Sequence, residues 1–330
     1  MKKRLYFLKS GTLERESNTL LFLAGDKKIF LPIKEISSLY IFGEVNLNKR
    51  FLEFMTENQV PIHFYNYYGY YSGSYLPRRA FNSGIVTLKQ AEHYLDNKKR
   101  LFIAQQFVSG SVNNMKTILN YYNNRGIDLD QEIKYLNDFF VKSKSSKEVN
   151  ELMGIEGNAK EIYYECFNKL LKDPEYSYDM RSRRPPKTKL NTLLSFGNGL
   201  LYATILGEIY KTHLDPRIGY LHSTNSRKFS LNLDVSELFK PFLVDRVIIS
   251  LVNKSMLSDG DYSSELGGLY LTESGKKKFL QEFESRMSTT ITHRVLKRKI
   301  SYQGLVRIEL YKIERHLLGD KLYSPFLMYW

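Results

Sequence analysis

The segment Leu214-Asp215-Pro216-Arg217-Ile218-Gly219-Tyr220-Leu221-His222 sets an imidazole a short way upstream of two carboxylates, Asp234 and Glu237, that stand three residues apart. Another acid, Glu156, lies far upstream in the signature Gly154-Ile155-Glu156-Gly157. One nitrogen with two or three hard oxygens can hold Mg2+ or Mn2+ and leave positions open for water and phosphate. The chain carries 49 Lys and Arg against 35 Asp and Glu, a formal charge of +14. That excess favours a polyanionic partner, because neutralising phosphates releases condensed counterions. Together these features point to metal-dependent chemistry on nucleic acid.

Each of these residues also has a plainly structural reading. Glu156 at the start of a helix over 156–171 would complement the helix dipole, which leaves its flanking glycines unexplained. Asp234-x-x-Glu237 ahead of Leu238, Phe239 and Phe242 is a capping-box pattern. The same spacing sets both carboxylates on one side of a first helical turn, suited to gripping a cation. A lone histidine such as His222 is ordinarily a satisfied structural one. Spacing alone cannot bring Glu156 to the others; the tertiary fold has to do it.

Two basic runs could hold phosphate. Residues 181–189 supply Arg181, Arg183, Arg184, Lys187 and Lys189 with no acid among them, and Pro185 and Pro186 deny the run a helix. Residues 293–299 add Arg294, Lys297, Arg298 and Lys299. A phosphate clamp and a solvated basic loop remain alternatives for both. Residues 271–278 resemble the strand-to-helix entry of winged-helix DNA binders, unless Thr272 or Ser274 simply caps the helix that follows. A non-catalytic nucleic-acid-binding protein is therefore the rival reading.

The elements that must position these residues fall into two parts. Apolar runs at 5–8, 19–23, 29–33 and 39–42, split by turn signals, predict strands; 48–58 predicts a helix and 60–65 a further strand. Residues 64–71 hold six aromatics, expected as a hairpin filling a core or dimer seam rather than as a base-stacking platform. Beyond about residue 85 the period turns helical, with helices expected over 88–109, 112–123, 131–142, 156–171, 192–212, 238–253, 274–287 and 302–318. Residues 72–87, with Gly73, Pro77, Gly84 and Arg78-Arg79, read as the linker. The expected class is α+β: a small N-terminal β-sandwich-like domain (1–80), then a large all-α catalytic domain (81–330).

At 330 residues the chain can bury a substantial core. The lone Cys166 rules out an internal disulfide framework or a thiolate zinc site and suits a reducing cytoplasm. The apolar stretch at 5–8 is too short for an export signal, and no uninterrupted run reaches the ~18 apolar residues of a membrane span. A cytoplasmic protein without a membrane partner is expected.

Taken in order, these pieces resemble the CRISPR-associated adaptation integrases, metal-dependent DNA endonucleases that insert new spacers into CRISPR arrays. The likeness runs through Met153-Gly154-Ile155-Glu156-Gly157-Asn158-Ala159, Arg183-Arg184-Pro185-Pro186 and Asn191-Thr192-Leu193-Leu194-Ser195-Phe196-Gly197. It continues through 214–222 and 234–241 to a tail containing Tyr302, Leu318-Gly319 and Tyr323-Ser324-Pro325-Phe326. The resemblance implies that Glu156, His222 and Glu237 ligate Mg2+ or Mn2+, and that Asp234 shapes the site. It also implies double-stranded and branched DNA as substrate, a homodimer formed through the N-terminal domains, and a small companion adaptation protein. Arg217 stands where an aromatic is common, Lys240 replaces a frequent arginine, and Glu237 is aspartate in some branches. A scaffold that only assembles other adaptation proteins is a further alternative.

Overall fold

Short strands of alternating burial build the first of two compact units, Met1–Asn82 and Ser83–Trp330, in a computed structural model that describes residues 2–78, 83–224 and 229–329. The first unit contains β1 (Lys3–Phe7), β2 (Gly11–Glu16), β3 (Thr19–Ala24), β4 (Lys27–Pro32), β5 (Ile36–Ile41), β6 (Val45–Leu47), α1 (Lys49–Glu57), β7 (Ile62–Tyr65) and β8 (Tyr71–Tyr75). They form two four-stranded sheets, ordered β1-β5-β7-β8 and β4-β3-β2-β6. Pairing is mixed: β1, β5 and β7 run parallel, as do β2 and β6, while the hairpins are antiparallel. Leu13 and Leu20 from one sheet, Leu39 and Ile62 from the other, and Phe51 and Phe54 of α1 share one core. Asn48 caps α1 by accepting the Phe51 N–H at 2.9 Å. β2 and β6 carry too few apolar residues to register as strands in the sequence.

The aromatic run folds as the β7–β8 hairpin. Tyr65 is buried and stacks on Phe42 with ring centres 4.2 Å apart, whereas Tyr67 at the turn is 67% exposed. The stretch 72–87 is not a continuous linker: β8 ends at Tyr75 and the next helix begins at Gly84. Arg79 and the boundary expected after residue 80 lie outside the described residues.

The second unit carries α2 (Gly84–Leu95), α3 (Asn97–Asn123), α4 (Asp130–Ser145), α5 (Val149–Glu165), α6 (Phe167–Leu170), α7 (Lys189–Ile209), α8 (Ser230–Lys240), α9 (Arg246–Asn253), α10 (Glu273–Ser288) and α11 (Tyr302–Leu317). It is not all helical: β9 (Tyr262–Glu265) pairs antiparallel with β10 (Gly268–Leu271), and β11 (Thr290–Thr292) with β12 (Lys299–Ser301). The strand-to-helix entry at 271–278 is real, and Thr272 caps α10 by accepting the Gly275 N–H at 3.3 Å. α7 is apolar on nearly every side and correspondingly buried, which makes it a central helix. Among the described residues no helix is long and apolar enough to cross a membrane.

Two boundaries differ from expectation in ways that matter for the site. α5 starts at Val149, so Glu156 sits in the middle of a helix and does not serve the dipole at its end. α8 starts at Ser230, so Asp234 and Glu237 lie inside the helix and neither belongs to a capping box. The helix expected over 238–253 is broken instead: a five-residue π turn, Pro241–Asp245, separates α8 from α9. Proline has no N–H to offer the Glu237 carbonyl one turn back, so the regular ladder cannot continue there. The Ser111 hydroxyl of α3 donates to that carbonyl in its place, at 3.0 Å.

Candidate functional site

α3 holds the end of α8 from one side. Besides Ser111, the buried Asn114 donates through Nδ2 to the carbonyls of Leu238 (2.9 Å) and Phe326 (3.1 Å), and accepts the Met328 N–H at 2.7 Å. Gly110 makes this approach possible, since a Cβ there would meet Leu238 Cδ2 at 2.6 Å and Pro325 at 2.8 Å. Glu237 is thereby fixed in orientation by a helix far away in sequence.

The loop carrying His222 is strapped as tightly. Gln90 of α2 accepts the Asp215 N–H at 2.6 Å and donates to the Asp215 carbonyl at 3.1 Å, and Arg100 of α3 donates to the Tyr220 carbonyl at 2.9 Å. Ser230, at the start of α8, accepts the Gly219 N–H at 2.8 Å and donates to the Arg217 carbonyl at 2.6 Å. A side chain at 219 would press on the α8 backbone and on Asp234 Oδ2, so only glycine fits. Arg217 pairs with Asp215, its Nη2 lying 2.6 Å from Oδ2.

Asp234, wholly buried, accepts four hydrogen bonds from this loop. Oδ2 takes the N–H groups of Tyr220 (2.6 Å) and Leu221 (3.0 Å); Oδ1 takes the His222 N–H (3.0 Å) and ring Nδ1–H (2.8 Å). Because a carboxylate can only accept here, the proton sits on Nδ1 and the lone pair on Nε2. Burial works against a charge on His222. The bond to Asp234 and the fields of Asp234, Glu237 and Glu156 outweigh it, and the imidazole titrates above its ordinary value.

Glu156 and Glu237, from α5 and α8, converge on Lys160. Its Nζ is 2.6 Å from Glu237 Oε2 and also contacts Glu156 Oε1. Lys240 Nζ lies 2.6 Å from the other oxygen, Glu237 Oε1. Burial would raise the Glu237 carboxyl, yet Lys160 and Lys240 hold it well below the usual carboxylate range. Burial likewise disfavours the Lys160 ammonium, but Glu237 and Glu156 raise it above its ordinary value. Glu156 Oε1 and Glu237 Oε2 touch this cation without an aligned hydrogen bond. Such oxygens retain lone pairs that a metal ion could take.

Of the expected ligands, then, two share one ammonium, and His222, bonded to Asp234, feels the fields of both. Among the described residues no three His, Cys, Asp or Glu side chains stand close enough together to hold a metal ion between them. The donor set still suits a hard divalent cation: two carboxylates, an imidazole with its Nε2 lone pair free of the Asp234 bond, and a third carboxylate fixing that tautomer. Lys160 and Lys240 are the partners that sequence reasoning overlooked. Lys160 carried a signal, since it sits four residues after Glu156 and so shares its helical face. Asp245 was also missed; it is buried beside Tyr163, and burial, against the opposing pull of Lys240 and Tyr163, pushes its carboxyl up to about 7. The glycines flanking Glu156 serve no packing need, because a Cβ at Gly154 or Gly157 would meet nothing. They leave a bare strip of α5 beside the carboxylate.

The basic runs divide. Arg181 turns inward, donating to Asn191 Oδ1 at 2.9 Å and Ser195 Oγ at 3.1 Å. Lys189 pairs with Glu175 and lies 2.5 Å from Asp259. Both therefore brace the start of α7, while Arg183, Arg184 and Lys187 are exposed. Arg294, Lys297, Arg298 and Lys299 are exposed around the turn of the β11–β12 hairpin.

Known proteins share this chain's sequence and fold. Residues 5–285 match the model of the family described as CRISPR associated protein Cas1. The chain is 48% identical over 330 residues, covering 100% of both chains, to a CRISPR-associated endonuclease Cas1 of Thermodesulfovibrio yellowstonii. Its fold matches a solved CAS1 protein from Thermotoga maritima with a TM-score of 0.88 and 43% identity, covering 98% of this chain and 99% of that one. A casposase bound to integration product shares the fold with a TM-score of 0.87 at 23% identity, over 98% and 93% of the two chains. So does a chain of a Cas6-RT-Cas1–Cas2 complex, with a TM-score of 0.85 at 18% identity, over 100% of this chain and 36% of that one.

Proposed function

Because the chain belongs to the Cas1 family of CRISPR-associated proteins, we propose that it is a metal-dependent DNA endonuclease and integrase that inserts spacer DNA into a CRISPR array. The observation that carries this reading is the meeting of Glu156 and Glu237, buried carboxylates of separate helices, on one ammonium, with the Asp234-bonded His222 inside their field. Glu156, His222 and Glu237 would hold Mg2+ or Mn2+. When bound, the ion supplies a Lewis acid that stabilises charge building on the phosphate.

The chain's own residues supply the rest. Asp234 holds the His222 ring in the tautomer that presents Nε2, and Ser111 and Asn114 keep α8 from rotating Glu237 away. Lys160 and Lys240 set a positive field where a phosphate would lie. In strand transfer an incoming 3′-hydroxyl gives up its proton and bonds phosphorus, and the target strand's bridging oxygen leaves and gains a proton. One phosphodiester replaces another, so no external energy source is required. With water as nucleophile the same displacement is hydrolysis.

The exposed Arg183, Arg184 and Lys187 would grip double-stranded or branched DNA by its backbone. Homodimer formation is assigned to the N-terminal unit, where the edge strand β4 exposes Ile29 (44%) and Phe30 (55%). A small companion adaptation protein is the assigned further partner, as the Cas2 named in the complex of similar fold suggests, and the cytoplasm, where the array lies, the assigned compartment.

The test is Glu156→Ala. It should abolish Mn2+- or Mg2+-dependent cleavage and strand transfer while duplex binding persists. Nicking undiminished in that variant would move the chemistry elsewhere, and the absence of any metal dependence in the wild type would leave only a binding or scaffolding role.

A further inference from the structure

The β11–β12 hairpin carries a feature that holding phosphates does not require. Its turn, 293–298, presents Val295 (77% exposed) and Leu296 (45% exposed) at the tip, with Arg294 on one side and Lys297, Arg298 and Lys299 on the other. No acid occurs between residues 285 and 308. Two exposed aliphatic side chains inside so cationic a loop are costly to leave in water and give nothing to the local fold.

The tip is also preformed. His293 Nδ1 accepts the N–H groups of Val295 (3.3 Å) and Leu296 (3.1 Å), and the His293 carbonyl accepts the Lys297 N–H at 2.8 Å. Lys297 takes a left-handed backbone, φ 51°, which reverses the chain. The Tyr329 hydroxyl donates to the Thr292 carbonyl at 2.6 Å and accepts the Arg294 N–H at 3.2 Å, and the Arg294 guanidinium lies 3.9 Å from the Tyr329 ring centre. At the base, Ile300 is buried, and Tyr302, the buried first residue of α11, donates its N–H to the Thr289 carbonyl at 3.1 Å. A rigid stem thus holds two apolar side chains outward between cations.

We propose that this hairpin is a DNA-deforming wedge: Val295 and Leu296 insert at a base step of duplex DNA from the minor groove, while Arg294, Lys297, Arg298 and Lys299 hold the phosphates on either side. The proposal rests on the reading of the protein as acting on DNA. Partial unstacking by aliphatic side chains kinks a duplex, and the flanking cations recover the distortion energy through backbone contacts. Because the wedge contacts no base edges, it favours deformable steps over a sequence.

The test compares the full wild-type chain with the double variant Val295→Ser/Leu296→Ser on a short duplex labelled at its ends for energy transfer, and on duplexes carrying 2-aminopurine. The wild type should bend the duplex and brighten 2-aminopurine at the unstacked step. The double variant should bind within about threefold of wild type, since its cations remain, yet leave the duplex straight and the probe dark. Leu296→Met, which keeps an apolar tip, should retain the bending, and so separates loss of the wedge from a disturbed loop. Equal bending by wild type and double variant overturns the proposal, as does wild-type binding without distortion. Loss of association with a second copy or with anionic vesicles, in place of duplex distortion, overturns it too. Failure of the wild type to bind duplex at all sinks the DNA reading itself, a result distinct from these.

Discussion

Lys160 Nζ stands 2.6 Å from Glu237 Oε2 and contacts Glu156 as well, so one ammonium serves carboxylates from two helices. Its side chain is 20% exposed, deep enough for removal of the charge to leave two buried acids facing each other. Lys160→Met should therefore destabilise the metal-free protein by about 3 kcal/mol, the scale for breaking a buried ion pair from one side. Added Mn2+ should stabilise the variant more than the wild type, in which the ion must first displace the ammonium. Urea denaturation with and without Mn2+ measures both effects; equal increments from the ion in the two proteins would refute the idea.

Asp234 would act through His222, whose ring it holds. Asp234→Asn should lower metal-dependent cleavage by roughly 10- to 100-fold, the usual cost of losing a partner that orients a ligand. The pH profile separates orientation from mere structure. A proton and a metal ion compete for the imidazole, so wild-type activity should fall as pH drops through the raised pKa of His222. In the variant burial acts with less opposition, and that acidic limb should move to lower pH. An unmoved limb would count against the assignment.

Asp245 gives a stability signature. With its carboxyl pushed up to about 7 from an ordinary 3.8, the folded state binds more protons than the unfolded state between those values. Stability must then fall as pH climbs from about 4 to about 7, and the loss is complete above that. Asp245→Asn should raise the melting temperature near pH 8 and change it little near pH 4. Thermal denaturation at the two pH values decides; a gain confined to the acid side would contradict the burial argument.

The sequence determined, by itself, what depends on near neighbours. The switch from short strands to helices and the start of α1 at Asn48 are encoded within a few residues, whereas the apolar run 238–253 masked the break that Pro241 imposes. The residue types able to bind a divalent ion were legible too, because an imidazole and carboxylates in a basic chain restrict the chemistry. Helix starts were less so. In α5 the glycines at 154 and 157 interrupt the helical signal of Val149, Leu152 and Ile155, and in α8 the alternation Ser230-Leu231-Asn232-Leu233 imitates a strand, which hid the fact that Glu156, Asp234 and Glu237 are interior residues.

Only the tertiary structure decided how those side chains meet. Gly110, Ser111 and Asn114 of α3 set the position of α8, and Gly219 lets the His222 loop close on Asp234. It also decided which cations turn inward, as Arg181 and Lys189 do, and which stay outside. These outcomes come from hydrogen bonds and close packing between segments distant along the chain. No local pattern of residues carries that information.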